Sequence, residues 1–280
     1  MTWITDAQNT WCPGCGNFAV QHALKDVFSG LVADEGRRPE EFVLVSGIGC
    51  HAKIADYLAV NSFYAIHGRT LPVATGIKLA NPDLTAVACA GDGDAYAEGL
   101  GHLVFAAKRN TDITAIVHDN RVYGLTTGQY TPTSYTGFKG RSTPAGVKER
   151  PFNPVELALA SGATFVARAY TRRLDHLREV LRRAILHQGF SFVEVLQICA
   201  TYNNLTGTYH DQVYELEGHD TADLTAALAR AREWDYSDDA PIALGVFYES
   251  ERDHETWPAM GRVPDHRRQE VIRGVLEERR

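Results

Sequence analysis

Short apolar runs that end at glycine or at polar residues alternate along the chain with segments of helical periodicity. FVLVSGIGC (42–50), LTAVACAGDGDA (84–95) and ITAIVHDN (113–120) have the composition of buried strands, and a helical stretch from about 95 to 109 lies between the last two. Alternating strands and helices are typical of βα units, in which helices cover both faces of a parallel sheet. The sequence therefore predicts an α/β fold with a doubly wound, mostly parallel sheet.

The same pattern continues to about residue 200 and then weakens. FSFVEVLQIC (190–199) is predicted to be a strand that ends at Cys199, whereas the segment after it is more polar. We therefore divide the chain into a main domain at 1–200 and a C-terminal extension at 201–280. The extension is expected to be an arm, a lid or a segment that contacts a partner chain.

Two further segments carry predictions about local structure. Asn17 is predicted to cap a helix that runs through about Phe28, because Asn is a favoured N-cap residue and the following apolar positions fall mostly on one face. Residues 126–146 (TTGQYTPTSYTGFKGRSTPAG) are rich in Gly, Thr, Ser and Pro without periodicity, which predicts a long surface loop. Loops of that length are usually functional or mobile.

The charge balance excludes some classes of partner. The chain has 280 residues, with 28 Lys and Arg against 35 Asp and Glu, and a formal net charge of -7. Nucleic-acid binding requires a clustered excess of basic residues, so we expect no nucleic-acid partner. No apolar run reaches membrane-spanning length, and the N-terminal MTWITDAQNT lacks the basic and apolar regions of a signal peptide. We therefore expect a cytoplasmic protein that binds no membrane.

The cysteines point to metal, cluster or redox chemistry. There are five of them, at Cys12, Cys15, Cys50, Cys89 and Cys199. An odd number in a large chain is a poor disulfide framework. From the spacing alone, four of these cysteines suit a structural zinc ion and an iron–sulfur cluster about equally well. A redox Cys-x-x-Cys pair would leave the remaining cysteines unexplained.

GDGDA (91–95) follows a predicted strand and opens a helical stretch. Backbone N–H groups at such a turn are free at the positive end of a helix, where a diphosphate can bind at the carboxyl edge of the sheet. Asn120 ends the next predicted strand, so Asp92 and Asn120 are expected side by side. A carboxylate, an amide oxygen and a backbone carbonyl, together with diphosphate oxygens and water, would form the octahedral shell that Mg²⁺ requires.

A family resemblance rests on five motifs in a fixed order: WCPGCGN (11–17), GIGC (47–50), HGR (67–69), GDGDA (91–95) and DNRVYGLTTGQ (119–129). Gly91-Asp92-Gly93 paired with Asn120 looks like the thiamine diphosphate motif. The full set resembles the β subunit of 2-oxoacid:ferredoxin oxidoreductases, from Trp11 to about Asn203. The resemblance implies a sheet of the thiamine diphosphate-binding type, with thiamine diphosphate, Mg²⁺ and one [4Fe-4S] cluster all bound within residues 1–200.

Ligands and cofactor contacts follow from the resemblance residue by residue. The matching cluster ligands are Cys12, Cys15, Cys50 and Cys199, whereas Cys89 matches no ligand. Asp92 and Asn120 match side-chain ligands of Mg²⁺, and Val122 matches a backbone-carbonyl ligand. The residues that match thiamine diphosphate contacts are Ile48, Gly49, Cys50, His51, His67, Gly91, Asp92, Gly93, Asp94, Asn120, Gly124 and Leu125.

Two of the matched residues are assigned catalytic roles. His67 lies in a loop between two matched motifs and is expected beside the cofactor. Lys53 matches a cationic residue close to the bound 2-oxo acid, where an ammonium group could pair with a substrate carboxylate. Without the resemblance, a lysine at this position is more often a solvated surface residue.

The resemblance also implies a reaction and a set of partners. The reaction is coenzyme A-dependent oxidative decarboxylation of a 2-oxo acid to an acyl-CoA and CO₂, with electrons passing through the cluster to ferredoxin, or the reverse reductive carboxylation. The CPGCGN motif, together with Lys53 and GLTTGQ, favours 2-oxoglutarate over pyruvate. An α subunit is expected to supply the pyrimidine-binding half of the site and its carboxylate, giving an αβ or (αβ)₂ assembly.

Two other functions stay open at this point. One is a redox-neutral thiamine enzyme of the acetolactate synthase or decarboxylase type, with a structural zinc ion on the cysteines, although those enzymes carry both halves of the site on one longer chain. The other is an electron-transfer or scaffold subunit that keeps the fold and binds no thiamine. The intact pair Asp92 and Asn120 disfavours this second alternative.

Overall fold

A single eight-stranded sheet forms the centre of the protein. A computed structural model of the chain describes residues 2–236, 239–252 and 265–278. Its strands are β1 (Phe42–Ser46), β2 (Asn61–Tyr64), β3 (Thr85–Gly91), β4 (Thr114–Asp119), β5 (Phe165–Tyr170), β6 (Ser191–Leu196), β7 (Val213–Glu215) and β8 (Ile242–Glu249). They lie in the order β2-β1-β3-β4-β6-β5-β8-β7.

Most of the sheet is parallel. All neighbouring pairs from β2 to β5 run parallel, β8 pairs antiparallel with β5, and β7 pairs parallel with β8. The strand order reverses at β1, because β2 lies on one side of it and β3 on the other. The prediction of a doubly wound, mostly parallel α/β sheet is confirmed.

The described part of the chain forms nine α-helices. They are α1 (Asn17–Asp34), α2 (Ile54–Tyr57), α3 (Thr70–Ala80), α4 (Leu100–Arg109), α5 (Pro154–Ala160), α6 (Leu174–Leu186), α7 (Thr206–Gln212), α8 (Leu224–Ala231) and α9 (Asp265–Glu277). Buried side chains of α1 and α6 pack on one face of the sheet, and those of α3, α4, α5 and α8 pack on the other. The sheet is therefore buried between two helical layers.

The central strands are apolar along their whole length because both of their faces are buried. Leu44, Val87 and Ile116 pack against the layer of α1 and α6, whereas Val45 and Val117 pack against the opposite layer. A strand buried on both sides has no need for the alternation of polar and apolar residues that a half-exposed strand shows. This burial explains why the sequence shows continuous apolar runs that are easily recognised as strands.

The first helix is longer than predicted and begins differently. It continues to Asp34 instead of ending near Phe28, because it goes on burying apolar side chains against the core. Gly16 is its N-cap residue, and the Asn17 side chain makes no capping hydrogen bond. Instead, Asn17 Oδ1 lies 2.9 Å from Nδ1 of the buried His118. The prediction that Asn17 caps this helix is therefore wrong.

The strand β6 ends at Leu196, earlier than predicted from the sequence. The next residues leave the sheet and turn towards the N-terminal segment of the chain, where the Gly16 N–H donates a hydrogen bond to the Ile198 carbonyl at 3.0 Å. Cys199 therefore lies in the loop that follows the strand.

Residues after 200 contribute to the same sheet, since β7 and β8 lie in it and α8 packs against β8. The division of the chain at residue 200 stays a prediction. Residues 237–238, 253–264 and 279–280 of the predicted extension lie outside the described residues. Within the described ranges, no helix is both long enough and apolar enough to cross a membrane.

The parallel arrangement brings distant parts of the sequence to one edge. β1, β3, β4 and β6 are consecutive neighbours and point the same way. The loops that follow them contain the glycine turns, the Asp92 and Asn120 positions and Cys199. The carboxyl edge of a parallel sheet is where α/β proteins usually bind their ligands.

Candidate functional site

A cavity of about 260 Å³ opens at this edge. It is lined by Ile48, Gly49, Cys50, His51, His67, Gly91, Asp92, Gly93, Asp94, Asn120, Val122, Tyr123, Gly124, Leu125 and Thr126. Every residue predicted as a thiamine diphosphate contact lies in this lining, as does Val122. Their roles at a cofactor stay predictions, but the structure brings them together. Tyr123 and Thr126 were not predicted.

Two glycines allow the walls of this first cavity to approach closely. A Cβ atom on Gly91 would lie 2.7 Å from His51 Nδ1, and a Cβ on Gly93 would lie 2.2 Å from the Tyr123 ring. After Asp92 the backbone forms a widened helical turn at Gly93–Glu98, a type of turn found frequently at functional sites. Side chains at these positions would collide with His51 and Tyr123 and would force the walls of the cavity apart.

The two predicted Mg²⁺ ligands are held in place by hydrogen bonds. Asp92 is 3% exposed, and its Oδ2 accepts a hydrogen bond from Thr133 Oγ1 at 3.1 Å. Asn120 Oδ1 accepts one from the Val122 N–H at 3.1 Å, and the Asn120 carbonyl accepts one from Asn203 Nδ2 at 3.1 Å. Burial raises the pKa of the Asp92 carboxyl from 3.8 to about 6. A cation at this position would compensate for the buried negative charge, so the residues fit Mg²⁺.

A buried polar network lies beneath Asp92. Thr133 Oγ1 also lies 2.8 Å from Asp119 Oδ1, which accepts a further hydrogen bond from the Arg121 N–H at 3.1 Å. Burial and the nearby Asp92 hold the pKa of Asp119 well above its ordinary value. The Arg121 guanidinium donates to the carbonyls of Thr133 and Tyr236. This network connects the candidate Mg²⁺ ligand to the residues that precede β8.

The segment 126–146 is irregular, as predicted, but it is not simply a surface loop. Thr131, Thr133 and Ser134 are each at most 2% exposed, and Phe138 is also buried. The sequence analysis missed Thr133 and Arg121, because threonine in a Gly/Ser/Thr-rich segment and arginine in a turn are both ordinary surface residues. Only the fold shows that they contact the carboxylates.

The Asp94 side chain accepts hydrogen bonds from the turn that contains His67. Its Oδ1 accepts a hydrogen bond from the Gly68 N–H at 2.7 Å, and its Oδ2 lies 3.3 Å from Thr70 Oγ1. The same carboxylate lies 3.6 Å from His51 Nε2. Asp94 thus joins the turns after β2 and β3 into one wall of the first cavity.

Gly68→Ala is expected to destabilise the protein by about 2 kcal/mol or more. Gly68 has φ +67°, and a Cβ would lie 2.4 Å from the Glu98 carbonyl oxygen. The left-handed backbone alone costs about 1–2 kcal/mol for other residues. Chemical denaturation would measure the loss, with Gly76→Ala as the control, since a Cβ on this α3 glycine meets nothing within 4 Å. The control should gain about 1 kcal/mol from helix propensity. Equal unfolding free energies for both variants would contradict the prediction.

A second, smaller cavity of about 50 Å³ adjoins the first and contains the cysteines. It is lined by Thr10, Trp11, Cys12, Cys15, Asn17, Cys50, Lys53, Asn120, Gly124, Gln197, Cys199, Ala200, Thr201 and Tyr202. Cys50, Asn120 and Gly124 line both cavities. A Cβ on Gly124 would lie 3.5 Å from Cys50 Sγ and 3.6 Å from Cys199 Sγ. The absence of a side chain at Gly124 therefore keeps the partition between the two cavities thin.

Three contacts fix the CPGC segment against loops from distant parts of the chain. Besides the bond from Gly16 to Ile198, the Trp11 indole Nε1–H donates to the Cys50 carbonyl at 2.6 Å. Gln197 Nε2 lies 3.4 Å from Cys15 Sγ. Hence the four predicted cluster cysteines surround one cavity although they are far apart in the sequence.

None of the five cysteines forms a disulfide bond. Burial raises the pKa of Cys15 from 9.0 to about 11, and burial together with the nearby Cys199 raises the pKa of Cys50. Since metal ligation requires thiolates, binding at these residues would have to release protons. Among the described residues, no three His, Cys, Asp or Glu side chains converge on a single-ion site. Cys89 is fully buried in β3, away from this cavity.

Lys53 lies beside the cysteines. Its Nζ donates to Thr10 Oγ1 at 2.7 Å, and Thr10 in turn contacts the Tyr57 hydroxyl at 3.1 Å. Lys53 lines the second cavity and is not part of the lining of the first. Its predicted substrate role stays a prediction, and the described contacts place its ammonium group in the lining of the cysteine cavity.

The surface beside the first cavity is apolar. Phe63, Tyr64, Ile66 and Leu125 are between 43% and 71% exposed. Ile66 directly precedes His67, and Leu125 lines the cavity itself. By contrast, a larger cavity of about 960 Å³ lies at the opposite edge of the sheet, lined by residues 186–188 and 249–252, and it contains none of the predicted site residues.

Two protein families match the sequence. Residues 47–195 match the family described as thiamine pyrophosphate enzyme, C-terminal TPP binding domain. Residues 199–257 match the family that describes the C terminal of the pyruvate ferredoxin oxidoreductase beta subunit. The two matches follow one another along the chain and together include the lining of both cavities, apart from the residues at 10–17 and Gln197.

Individual proteins are similar over most of the chain. Subunit beta of 2-oxoacid:ferredoxin oxidoreductase 1 from Aeropyrum pernix is 42% identical, covering 88% of this chain and 80% of its own length. The 2-oxoglutarate oxidoreductase subunit KorB of Mycobacterium tuberculosis is 44% identical, covering 72% of this chain and 53% of its own. Among solved structures, 2-oxoglutarate:ferredoxin oxidoreductase from Magnetococcus marinus, with 2-oxoglutarate, coenzyme A and succinyl-CoA bound, superposes with a TM-score of 0.84. That chain is 35% identical, and the match covers 90% of this chain and 84% of that one.

Proposed function

The chain belongs to the β subunits of the 2-oxoacid:ferredoxin oxidoreductases, which are thiamine diphosphate-dependent enzymes, and we propose that it carries the diphosphate-binding half of such an active site together with a [4Fe-4S] cluster. The observation that carries this proposal is the pair of adjoining cavities. One is lined by all the predicted thiamine contacts, and the other is lined by all four predicted cluster cysteines.

In the first cavity, the glycine turns after β1 and β3 would receive the diphosphate. Asp92, Asn120 and the Val122 carbonyl would hold Mg²⁺, which neutralises the buried carboxylate and the diphosphate. When bound, thiamine diphosphate supplies a ring that accepts the electron pair released as a 2-oxo acid loses CO₂. His67, on the turn fastened by Asp94, would contact the cofactor and orient it within the cavity.

In the second cavity, Cys12, Cys15, Cys50 and Cys199 would hold the cluster. Four thiols spread around a cavity suit a cluster, because four iron atoms separate their ligands more widely than one ion does. A zinc ion with Zn–S bonds of about 2.3 Å brings its sulfurs within about 4 Å of one another. The partition at Gly124 leaves little protein between the two cofactors, which favours electron transfer between them.

The names of the relatives support 2-oxoglutarate as the 2-oxo acid, with pyruvate as the alternative. The products would be an acyl-CoA and CO₂, with coenzyme A as acyl acceptor and ferredoxin as electron acceptor, or the reverse in a carboxylating direction. Lys53 would attract the anionic substrate towards the boundary of the two cavities.

A partner chain is part of this proposal. The exposed apolar side chains beside the first cavity suit contact with an α subunit that supplies the pyrimidine-binding half, in an αβ or (αβ)₂ assembly. We assign residues 201–280 a role as a lid or as a contact with the partner chain, and residues 1–200 the binding of cofactors. A cytoplasmic location stays a prediction from the N-terminal sequence.

The composition of the purified complex tests the proposed function. Anaerobic co-purification with the partner chain should give about four iron, about four sulfide and one thiamine diphosphate per copy of this chain, with little zinc. The same preparation, supplied with coenzyme A and a viologen dye, should reduce the dye faster with 2-oxoglutarate than with pyruvate.

Other results point to the alternatives. Zinc without sulfide, with thiamine diphosphate bound, would replace the proposal by a redox-neutral thiamine enzyme. A complex without thiamine diphosphate after purification in Mg²⁺ would indicate an electron-transfer or scaffold subunit. A higher kcat/KM with pyruvate would overturn only the substrate assignment.

A further inference from the structure

Gln197 brings a polar side chain into the cysteine cavity. It follows β6, is 1% exposed, and lines the cavity together with the four cysteines. Its Nε2 lies 3.4 Å from Cys15 Sγ and 2.8 Å from the Ile198 carbonyl oxygen. Its Oε1 has no hydrogen-bond partner among the described residues, although it is buried. A buried amide with one unsatisfied atom needs a physical reason to be there.

The same sulfur has a second N–H neighbour. The Asn17 backbone N–H, at the start of α1, also forms a hydrogen bond with Cys15. The Asn17 side chain is 1% exposed and lines the cavity, and its Nδ2 has no hydrogen-bond partner among the described residues. Cys15 therefore has two N–H donors, and one more N–H group of the same cavity, Asn17 Nδ2, has no acceptor among the described residues.

Such donors act differently on the two oxidation states of a cluster. When a [4Fe-4S] cluster gains one electron, the added negative charge is shared with the sulfur atoms, so N–H donors stabilise the reduced state more than the oxidised state. Hydrogen bonds to the sulfurs are one of the means by which proteins set cluster potentials. We propose that Gln197, through its N–H···S bond to Cys15, raises the reduction potential of the cluster assigned to this chain; the inference rests on the proposed function.

The consequence concerns electron flow. A cluster with a raised potential takes an electron more readily from the neighbouring site and gives it up less readily to ferredoxin. Gln197 is in this sense a positioning residue that acts through Cys15. It is not part of the lining of the first cavity and so does not act on the 2-oxo acid itself.

Gln197→Met tests the inference, because methionine has similar length and no N–H donor. The Ile198 carbonyl keeps its bond from the Gly16 N–H, so the substitution leaves no unpaired carbonyl. In the purified complex, the variant should show an about tenfold lower ratio of reduced to oxidised cluster at a given potential, which is about 59 mV for a one-electron couple. A redox titration followed by the electron paramagnetic resonance signal of the reduced cluster measures this shift.

Gln21→Met is the matched control. Gln21 is also a buried glutamine that donates to a backbone carbonyl, that of Tyr57 at 3.2 Å, but it does not line the cysteine cavity. Its variant should keep the parent potential. Gln197→Glu is the second variant and should also lower the potential, since it replaces the donor by an acid of the same length.

Iron and sulfide analysis separates the possible failures. A parent complex without a cluster would overturn the proposed function and this inference with it. Suppose that all variants keep an intact cluster. This inference alone would then be overturned if the ratio of reduced to oxidised cluster in Gln197→Met and Gln197→Glu stayed within about twofold of the parent ratio. A shift of the same size in the reduction potential of Gln21→Met would also overturn it. The shift would then come from a general change in core packing and not from the loss of the N–H donor at Cys15.

Discussion

Replacing Asp92 and Asn120 together by alanine is expected to abolish the Mg²⁺-dependent retention of thiamine diphosphate. Both side chains line the first cavity, and hydrogen bonds from Thr133 and Val122 hold their oxygen atoms in place. Loss of an outer partner of a metal ligand already costs about 10–100-fold in metal affinity. Loss of both side-chain ligands should therefore weaken cofactor binding more than about 100-fold. Equilibrium binding to the purified complex, with and without Mg²⁺, measures this.

Asp112→Ala is the control for the double variant, because it removes a structural carboxylate that does not line the first cavity. Asp112 lies at the opposite edge of the sheet, where it pairs with Lys78 at 2.7 Å and accepts a hydrogen bond from the Gly189 N–H at 3.1 Å. Asp112→Ala should lower stability and leave cofactor affinity unchanged. Unchanged affinity in the double variant as well would contradict the assigned Mg²⁺ ligands, whereas a parent complex with no measurable affinity for thiamine diphosphate would support a scaffold.

A second variant, Asp92→Asn, removes the negative charge of this side chain and keeps its size, so it measures the effect of the charge alone. Because burial raises the pKa of Asp92 above its ordinary value of 3.8, to about 6, the ionised carboxylate destabilises the cofactor-free protein near pH 7. The folded state binds this proton more tightly than the unfolded state, so this cost disappears as the pH falls from about 6 towards 4. Asp92→Asn should therefore stabilise the cofactor-free protein at neutral pH while it weakens cofactor retention. Chemical denaturation without Mg²⁺ should reveal this gain, and a loss of stability would contradict it.

The sequence predicts the position of the site well where that position depends on the ends of strands. β1, β3 and β4 are apolar throughout because both faces of the sheet are buried, so their ends are visible in the sequence. Parallel neighbours must then bring the glycine turns, Asp92 and Asn120 to one edge. Physical reasoning alone thus predicts a diphosphate and Mg²⁺ site there. The family resemblance added Cys12, Cys15, Cys50 and Cys199 as one set, and the structure places them around one cavity.

The sequence predicts less about side chains whose surroundings depend on contacts between distant parts of the chain. Thr133 is an ordinary loop residue until the fold places its hydroxyl between Asp92 and Asp119. The resemblance placed Lys53 close to the 2-oxo acid, whereas its bond to Thr10 and its place in the lining of the second cavity put its ammonium group beside the cysteines. Local propensity likewise favoured Asn17 as a helix cap, whereas the buried His118 competes for its side chain.

Replacing a single cluster cysteine by alanine is expected to remove most of the iron and sulfide from the complex. Cys12→Ala and Cys199→Ala should each lower the iron and sulfide content from about four per chain to below about one, because a [4Fe-4S] cluster in a Cys₄ site depends on all four thiolates. Dye reduction by the 2-oxo acid should be lost with the cluster. Cys12 and Cys199 are preferable to Cys50 because neither lines the first cavity, so thiamine diphosphate binding should persist in both variants.

Cys89→Ala is the matched control for these variants, since the fifth cysteine is fully buried within β3 and lines neither cavity. It should lose about 1 kcal/mol of stability from the missing sulfur atom and keep its iron, sulfide and activity. Iron retained in Cys12→Ala and Cys199→Ala would contradict the assigned ligand set. Zinc lost from these two variants, with no iron in the parent complex, would show instead that the four thiols serve a structural ion. The carboxyl edge would then carry redox-neutral thiamine chemistry, and the thin partition at Gly124 would have no role in electron transfer.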